Sequence, residues 1–279
     1  MSGAVERTVE VPGAKLWTRT TGAGDPILQI HGSGFGHRNF DPVTPALAER
    51  YAVIDYDQRG YGPSARPRQR YDLELWADDA VAVLDALGIE RAHVHGSSMG
   101  GMVATIVAGK HPERTRSVVI NCAAARLGRT TRLLFKNWID VARLDPAGPG
   151  SRVLAEMTAW QALSKRFIET DAGAQAIETI HEVLTESNDL EIYVAACEAI
   201  IAADLRGWLD RITAPALVIG GEEDLMTPWD QGPEGAGQQA IFERIAGARK
   251  HVIPSSGHSS MLDATDAYLA ALIPFLAAS

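Results

Sequence analysis

Cysteine is scarce. Cys122 and Cys197 are the only two in 279 residues, and they lie far apart. A disulfide framework would need more of them, and neither belongs to a metal-site spacing, so both are expected to be buried, reduced thiols of a cytoplasmic protein. Positive charge is also short: 26 Lys and Arg stand against 35 Asp and Glu, for a net charge of −9. With no basic stripe to meet phosphates, nucleic acid is excluded as a partner. No window approaches about 18 consecutive apolar residues, so no membrane span is expected. The opening MSGAVERTVEVPGAK has no apolar run behind a basic start, and no signal peptide is expected. Repeats and low-complexity tracts are missing too. What remains is a chain of ordinary composition, 46% hydrophobic and 22% charged. It is long enough for one large α/β domain or for a core carrying an inserted subdomain.

Short apolar runs bounded by turn residues recur along it: DPILQIHGSG, YAVIDYDQRGYG, RAHVHGSS, RSVVINCAA, APALVIGGEED and RKHVIPSSGH. Most are rich in Val or Ile, which suits strands buried on both faces of a parallel sheet. Helical patterns separate several of them, as in ELWADDAVAVLDALGIE, MVATIVAGKHPE and the closing DATDAYLAALIPFLAA. This alternation predicts an α/β protein with a mostly parallel, doubly wound sheet. TVEVPGAKLWTRTTG reads instead as a hairpin around Pro12-Gly13, an antiparallel edge on that sheet. From 125 to 205 only helical patterns occur, which predicts an all-helical lid inserted into a core of residues 1–124 and 206–279. The lid's larger apolar and aromatic residues are Leu134, Phe135, Trp138, Met157, Trp160 and Tyr193. Of these, Phe135, Trp138 and Trp160 are candidates to line a pocket over the strand ends.

One strand-to-helix corner carries the chemistry. Gly96-Ser97-Ser98-Met99-Gly100 has the spacing G-x-S-x-G, in which glycines two positions either side of a serine allow a tight strand–turn–helix with the hydroxyl pointing out. Ser98 has glycine at both offsets, whereas Ser97 has His95 and Met99 there. Ser98 is therefore the candidate nucleophile. A serine hydroxyl needs a base, and the base needs an orienting acid. Asp224 follows the strand PALVIGG and His258 follows KHVIPSSG, each just past a strand end where ligands gather in open α/β sheets. Glu223 is the rival for the acid. The chain order Ser, Asp, His differs from the two other common triad orders. An oxyanion would be held by two backbone N–H groups: Met99, after the nucleophile, and Ser33 in HGSGFGHRNF. In that loop Gly32, Gly34 and Gly36 keep the wall thin. Gly34 and Phe35 are candidate substrate contacts, and His31 reads as a structural ring. No lysine follows the glycines, so the loop is no phosphate cradle.

The motifs HGSG, DQRGYGPS, GSSMGG, GEED and GHSS resemble those of the α/β-hydrolase superfamily over essentially the whole chain. Serine at position 98 sets it apart from members with an aspartate nucleophile. HPERTRSVVINCAAARLG is similar to the corresponding segment of 3-oxoadipate enol-lactonases, in the esterase and lactonase branch. HGSGFGHRNF and SMGG are similar to motifs of the carbon–carbon hydrolases of aromatic ring cleavage. From these the chain departs at Phe35, Ser97 and Ser259, where they carry proline, asparagine and tryptophan. Cofactor-free haloperoxidase-like proteins share SMGG. The resemblance implies an α/β-hydrolase fold and a serine hydrolase that cleaves a small-molecule ester or lactone through an acyl-serine. It implies no metal or organic cofactor, with the protein a monomer or homodimer. Carbon–carbon bond hydrolysis is the alternative chemistry, and a ligand-binding protein with little turnover is the alternative class.

Overall fold

A computed structural model describes residues 3–187 and 189–279. Among them, eight strands form one sheet: β1 (Val5–Val11), β2 (Ala14–Thr21), β3 (Asp25–Ile30), β4 (Tyr51–Tyr56), β5 (Ala92–Ser97), β6 (Thr115–Asn121), β7 (Ala216–Gly221) and β8 (Arg249–Ile253). Their order is β1-β2-β4-β3-β5-β6-β7-β8. β1 pairs antiparallel with β2, and β2 with β4; the remaining pairs are parallel. The hairpin turns at Pro12-Gly13, where Gly13 takes φ +76°. Proline fixes a negative φ and glycine accepts the positive one that follows.

The helices in chain order are α1 (Thr44–Leu47), α2 (Leu73–Ala86), α3 (Met99–Lys110), α4 (Arg129–Leu144), α5 (Arg152–Ala162), α6 (Lys165–Ile168), α7 (Asp171–Ser187), α8 (Leu190–Ala202), α9 (Arg206–Leu209), α10 (Gln238–Arg244), α11 (Ser260–Asp263) and α12 (Thr265–Ala277). Alternation along each strand divides the core between the two sheet faces. Leu28, Ile54, Val118, Ile120 and Val218 pack in one cluster with α2 and α3 residues such as Trp76, Val83 and Val103. Ile27, Val53, Val119, Leu217 and Ile219 pack in the other with Leu47 of α1 and with Tyr268, Leu272 and Phe275 of α12. Burying each large apolar side chain contributes roughly 1.5–3 kcal/mol. Helices on both faces make the sheet doubly wound, as the strand–helix alternation predicts.

The turn after β4 is a buried polar anchor. Arg59 and Asp79 pair at 2.6 and 2.8 Å, each 2% exposed. Trp76 Nε1–H donates to the Arg59 carbonyl, and Ser64 Oγ–H donates to that of Asp57. Removing one member of such a buried pair costs about 3–5 kcal/mol. Between β6 and β7 the described residues hold only helices, α4 to α9, apart from an isolated bridge of Arg126 with Ala236. No helix is long and apolar enough to cross a membrane among the described residues.

Candidate active site

The corner at Ser98 is strained. Its φ of 56° and ψ of −120° are an unusual combination for a residue with a side chain, a conformation that costs about 1–3 kcal/mol and needs enforcing surroundings. Enforcement comes from close packing. A Cβ on Gly96 would overlap the Gly100 carbonyl, and one on Gly100 would overlap that of Ile30. Ser98 N–H donates to Asn121 O at 2.9 Å. From Ala92 to Gly109 every residue is buried except Ser98. Ser97 is held inside instead, its Oγ accepting from Asn121 Nδ2 at 3.0 Å. Met99 follows Ser98 at the first position of α3, where backbone N–H groups lack intrahelical partners and the helix dipole is positive.

Asp224 lies on the loop after β7 and is buried, while Glu223 beside it is exposed. The Asp224 carboxylate accepts from Met226 N–H and Thr227 N–H, both at 2.9 Å, from Thr227 Oγ at 2.8 Å and from Gln238 Nε2 at 3.2 Å. His258 Nδ1 stands 2.9 Å from its Oδ1 and 3.0 Å from its Oδ2. Burial works against the charge. The His258 imidazole and the His258 and Thr227 hydrogen bonds outweigh it, so the carboxyl sits below its ordinary pKa of 3.8. With Nδ1–H donating to Asp224, the unprotonated nitrogen of a neutral ring is Nε2.

Ser98, His258, Ser33, Phe35, Phe135 and Trp138 line one small cavity of about 30 Å³, together with Gly32, Asn39, Ser97, Ala162, Met226 and Ser259. Gly32 is needed for the close approach: a Cβ there would stand 3.1 Å from that of Ser98. The Gly32 N–H is bound by Asn39 Oδ1 at 2.9 Å. His31 is a neutral structural ring. Burial, opposed by nearby Asp57, brings its pKa down to about 4. Its Nδ1–H donates to Gly32 O at 2.8 Å, and its Nε2 accepts from Gln58 N–H at 2.9 Å.

Two expected pocket residues lie elsewhere. Trp160 is 54% exposed. Leu154, Ala155, Thr158, Ala159 and Ala162 turn the buried face of α5 inward, and position 160 falls on the opposite side. Gly34 does not line the cavity either. It sits under the helices between β6 and β7, and a Cβ there would meet Leu184 at 3.0 Å and Tyr193 at 3.8 Å. Asn39, Met226 and Ala162 line the cavity unanticipated, and Thr227 and Gln238, which hydrogen-bond Asp224 behind it, are equally unanticipated. Asp-x-x-Thr is a recognisable local turn pattern; the others leave no local signal. Among the described residues, Cys122, Asp224 and His258 bring donor atoms within 4.8 Å of one another. These donors are already committed. Burial pushes the Cys122 thiol well up in pKa, so it stays protonated, and Asp224 and His258 are bonded to each other.

A serine on a strained corner, facing the same cavity as a histidine backed by a buried carboxylate, is an arrangement suited to nucleophilic hydrolysis. Residues 25–265 match the family model described as alpha/beta hydrolase fold, and the chain belongs to that family. It is 31% identical over 79% of its length to 3-oxoadipate enol-lactonase 2 of Acinetobacter baylyi, covering 76% of that protein. It is 29% identical over 99% of its length to 2-hydroxymuconate semialdehyde hydrolase of a Pseudomonas species, covering 95%. The solved enol-lactonase of Burkholderia xenovorans superposes with a TM-score of 0.86 at 29% identity, over 97% of this chain and all of that one. Family and relatives together support an enzyme of the hydrolase class, in the esterase and enol-lactonase-like branch.

Proposed function

We propose that the protein is a serine hydrolase that cleaves a carboxylic ester or lactone through an acyl-serine. Supporting this reading above all is Ser98, held at a strained corner in the cavity it shares with His258, whose Nδ1 is bonded to Asp224. His258 Nε2 takes the proton of Ser98 as Oγ attacks the carbonyl carbon. Asp224 fixes the tautomer and stabilises the imidazolium. The backbone N–H groups of Met99 and Ser33 hold the oxyanion, a donor of this kind contributing roughly 2.7–4 kcal/mol. His258 then gives its proton to the leaving alkoxide and activates a water that cleaves the acyl-serine. Residues 125–205 act as a cap over this site, with Phe135 and Trp138 facing the substrate.

Ser98→Ala is expected to abolish turnover of a p-nitrophenyl ester without loss of fold, and a fluorophosphonate should label Ser98 alone. Retained turnover, or a label mapped to Ser97, would remove the assignment. Carbon–carbon bond hydrolysis is a second reading, favoured by the semialdehyde hydrolase relative. A panel of esters, lactones and vinylogous diketones on wild type and Ser98→Ala separates the two. Preference for the diketone would promote the second.

A further inference from the structure

The cavity at Ser98, about 30 Å³, holds little more than a water or two, since one water needs roughly 10–15 Å³ measured this way. A substrate with its carbonyl at Ser98 must therefore extend beyond it. Two larger grooves share no lining residue with the cavity. One, of about 520 Å³, runs along α8 and the segment 69–74; the other, of about 660 Å³, lies at the β2 edge beside α1. A third groove, of about 360 Å³, adjoins the site: Phe35, Asn39 and Ser259 line both spaces.

Helix α7 makes one wall of this groove. Ala172, Ala176, Thr179, Ile180 and Val183 line it at helical spacing. Met261 and Leu262 of α11 and Pro42 face them, with Phe167 of α6 at the side. Helix α7 packs on α5 and α6, and its small residues Ala172 and Ala176 leave room above the core. Of its polar lining residues, Arg38, Asn39, Asp41, Gln175, Thr179 and Ser259, only Arg38 and Asp41 are charged, and with opposite sign, which does not suit a highly charged ligand. Size and lining match an apolar small-molecule subsite.

We propose that this groove is a substrate subsite that receives an unbranched, uncharged apolar arm of the ester, with the short arm held against Phe135, Trp138 and Met226. The inference rests on Ser98 being the nucleophile. The same groove chemistry serves a long acyl or a long alkoxyl arm, and isomeric esters separate them.

The test compares hexyl acetate, methyl heptanoate and methyl acetate on wild type, Thr179→Trp and Ile180→Phe. Thr179 is only partly buried, so tryptophan there fills the groove with little risk to folding, which melting temperature checks. Each seated methylene raises kcat/KM by roughly fourfold. At least one long isomer should therefore exceed methyl acetate by about tenfold or more. That advantage should fall by about tenfold in both variants. The isomer that gains identifies the arm. A long-to-short ratio unchanged in folded variants would overturn the proposal. A second readout is independent of turnover: hexyl acetate and methyl heptanoate are titrated into Ser98→Ala protein by calorimetry. One or both should bind, and binding should be lost on adding Thr179→Trp. If no ester turns over but binding follows this pattern, the hydrolase reading fails and the groove stands. If esters turn over but neither long isomer binds, the groove fails alone.

Discussion

Thr227 reinforces the hold of His258 on Asp224. Its N–H and Oγ–H both end on the carboxylate, at 2.9 and 2.8 Å. Its Oγ also lies 3.2 Å from His258 Nδ1, where a lone pair meets the imidazole N–H. With Met226 N–H, Gln238 Nε2 and His258 added, five donors meet one buried carboxylate, which keeps it charged despite desolvation. Asp224→Asn should therefore lower kcat by about 10³–10⁴ through the wrong imidazole tautomer. Glu223→Gln, at an exposed neighbour whose carboxylate receives Lys165 N–H at 3.4 Å, should leave kcat within about twofold, since it lies outside the Asp224–His258 hydrogen bond and an exposed change barely perturbs the fold. Ester kinetics on the pair distinguishes the two acids; a comparable loss in both would reject Asp224. The competing carboxylates are adjacent in the chain, and burial separates them.

At the scale of elements, the corner between β5 and α3 is the tightest joint. Gly100 lies against the Ile30 carbonyl of β3, so Gly100→Ala should force β3 and α3 apart and cost about 3 kcal/mol or more. Gly207, in α9, has nothing within 4 Å of an added Cβ, and Gly207→Ala should be neutral or stabilise by up to about 1 kcal/mol. Melting curves of the two variants test the contrast, and similar curves would show that the corner tolerates a methyl group. G-x-S-x-G made this joint legible because the residues that form the corner lie within five positions, although what they pack against, Ile30 and Asn121, is distant in the chain. A second joint left no such trace. The α5–α6 junction is fastened to the His258 loop: Ser259 N–H donates to Ala162 O at 2.8 Å, and Ser164 N–H to Asp263 Oδ2 at 2.8 Å. Asp263 also receives Ser256 Oγ–H at 2.6 Å and Gly257 N–H at 2.8 Å. The bonds to Ala162 and Ser164 join residues far apart in the chain, so no local pattern announces them.

For the whole molecule, burial of ionisable groups sets the response to acid. Burial brings His31 and His93 down to about 4 and His95 to about 3. Below pH 6.5 the unfolded chain takes up protons on these rings and the folded protein does not until about pH 4, so acid favours unfolding across that window. Asp55, raised by burial to about 6, and Asp79, also raised by burial, act in the opposite sense. Three imidazoles against two carboxylates leave a net loss of stability on going from pH 6.5 toward 4. Asp224 and Asp57, held below their ordinary value, withdraw their share only below about pH 3.8. Urea unfolding midpoints across this range check the slope, and a midpoint that stays level or rises on acidification would contradict it. By itself the sequence determined the type and order of the elements and the spacing of the corner, because periodicity and turn chemistry act between near neighbours. Only the tertiary structure decided which aromatic residues face Ser98, with Phe135 and Trp138 inside and Trp160 turned to solvent. The rotation of a helix about its axis is set by what it packs against, and those partners are distant in the chain.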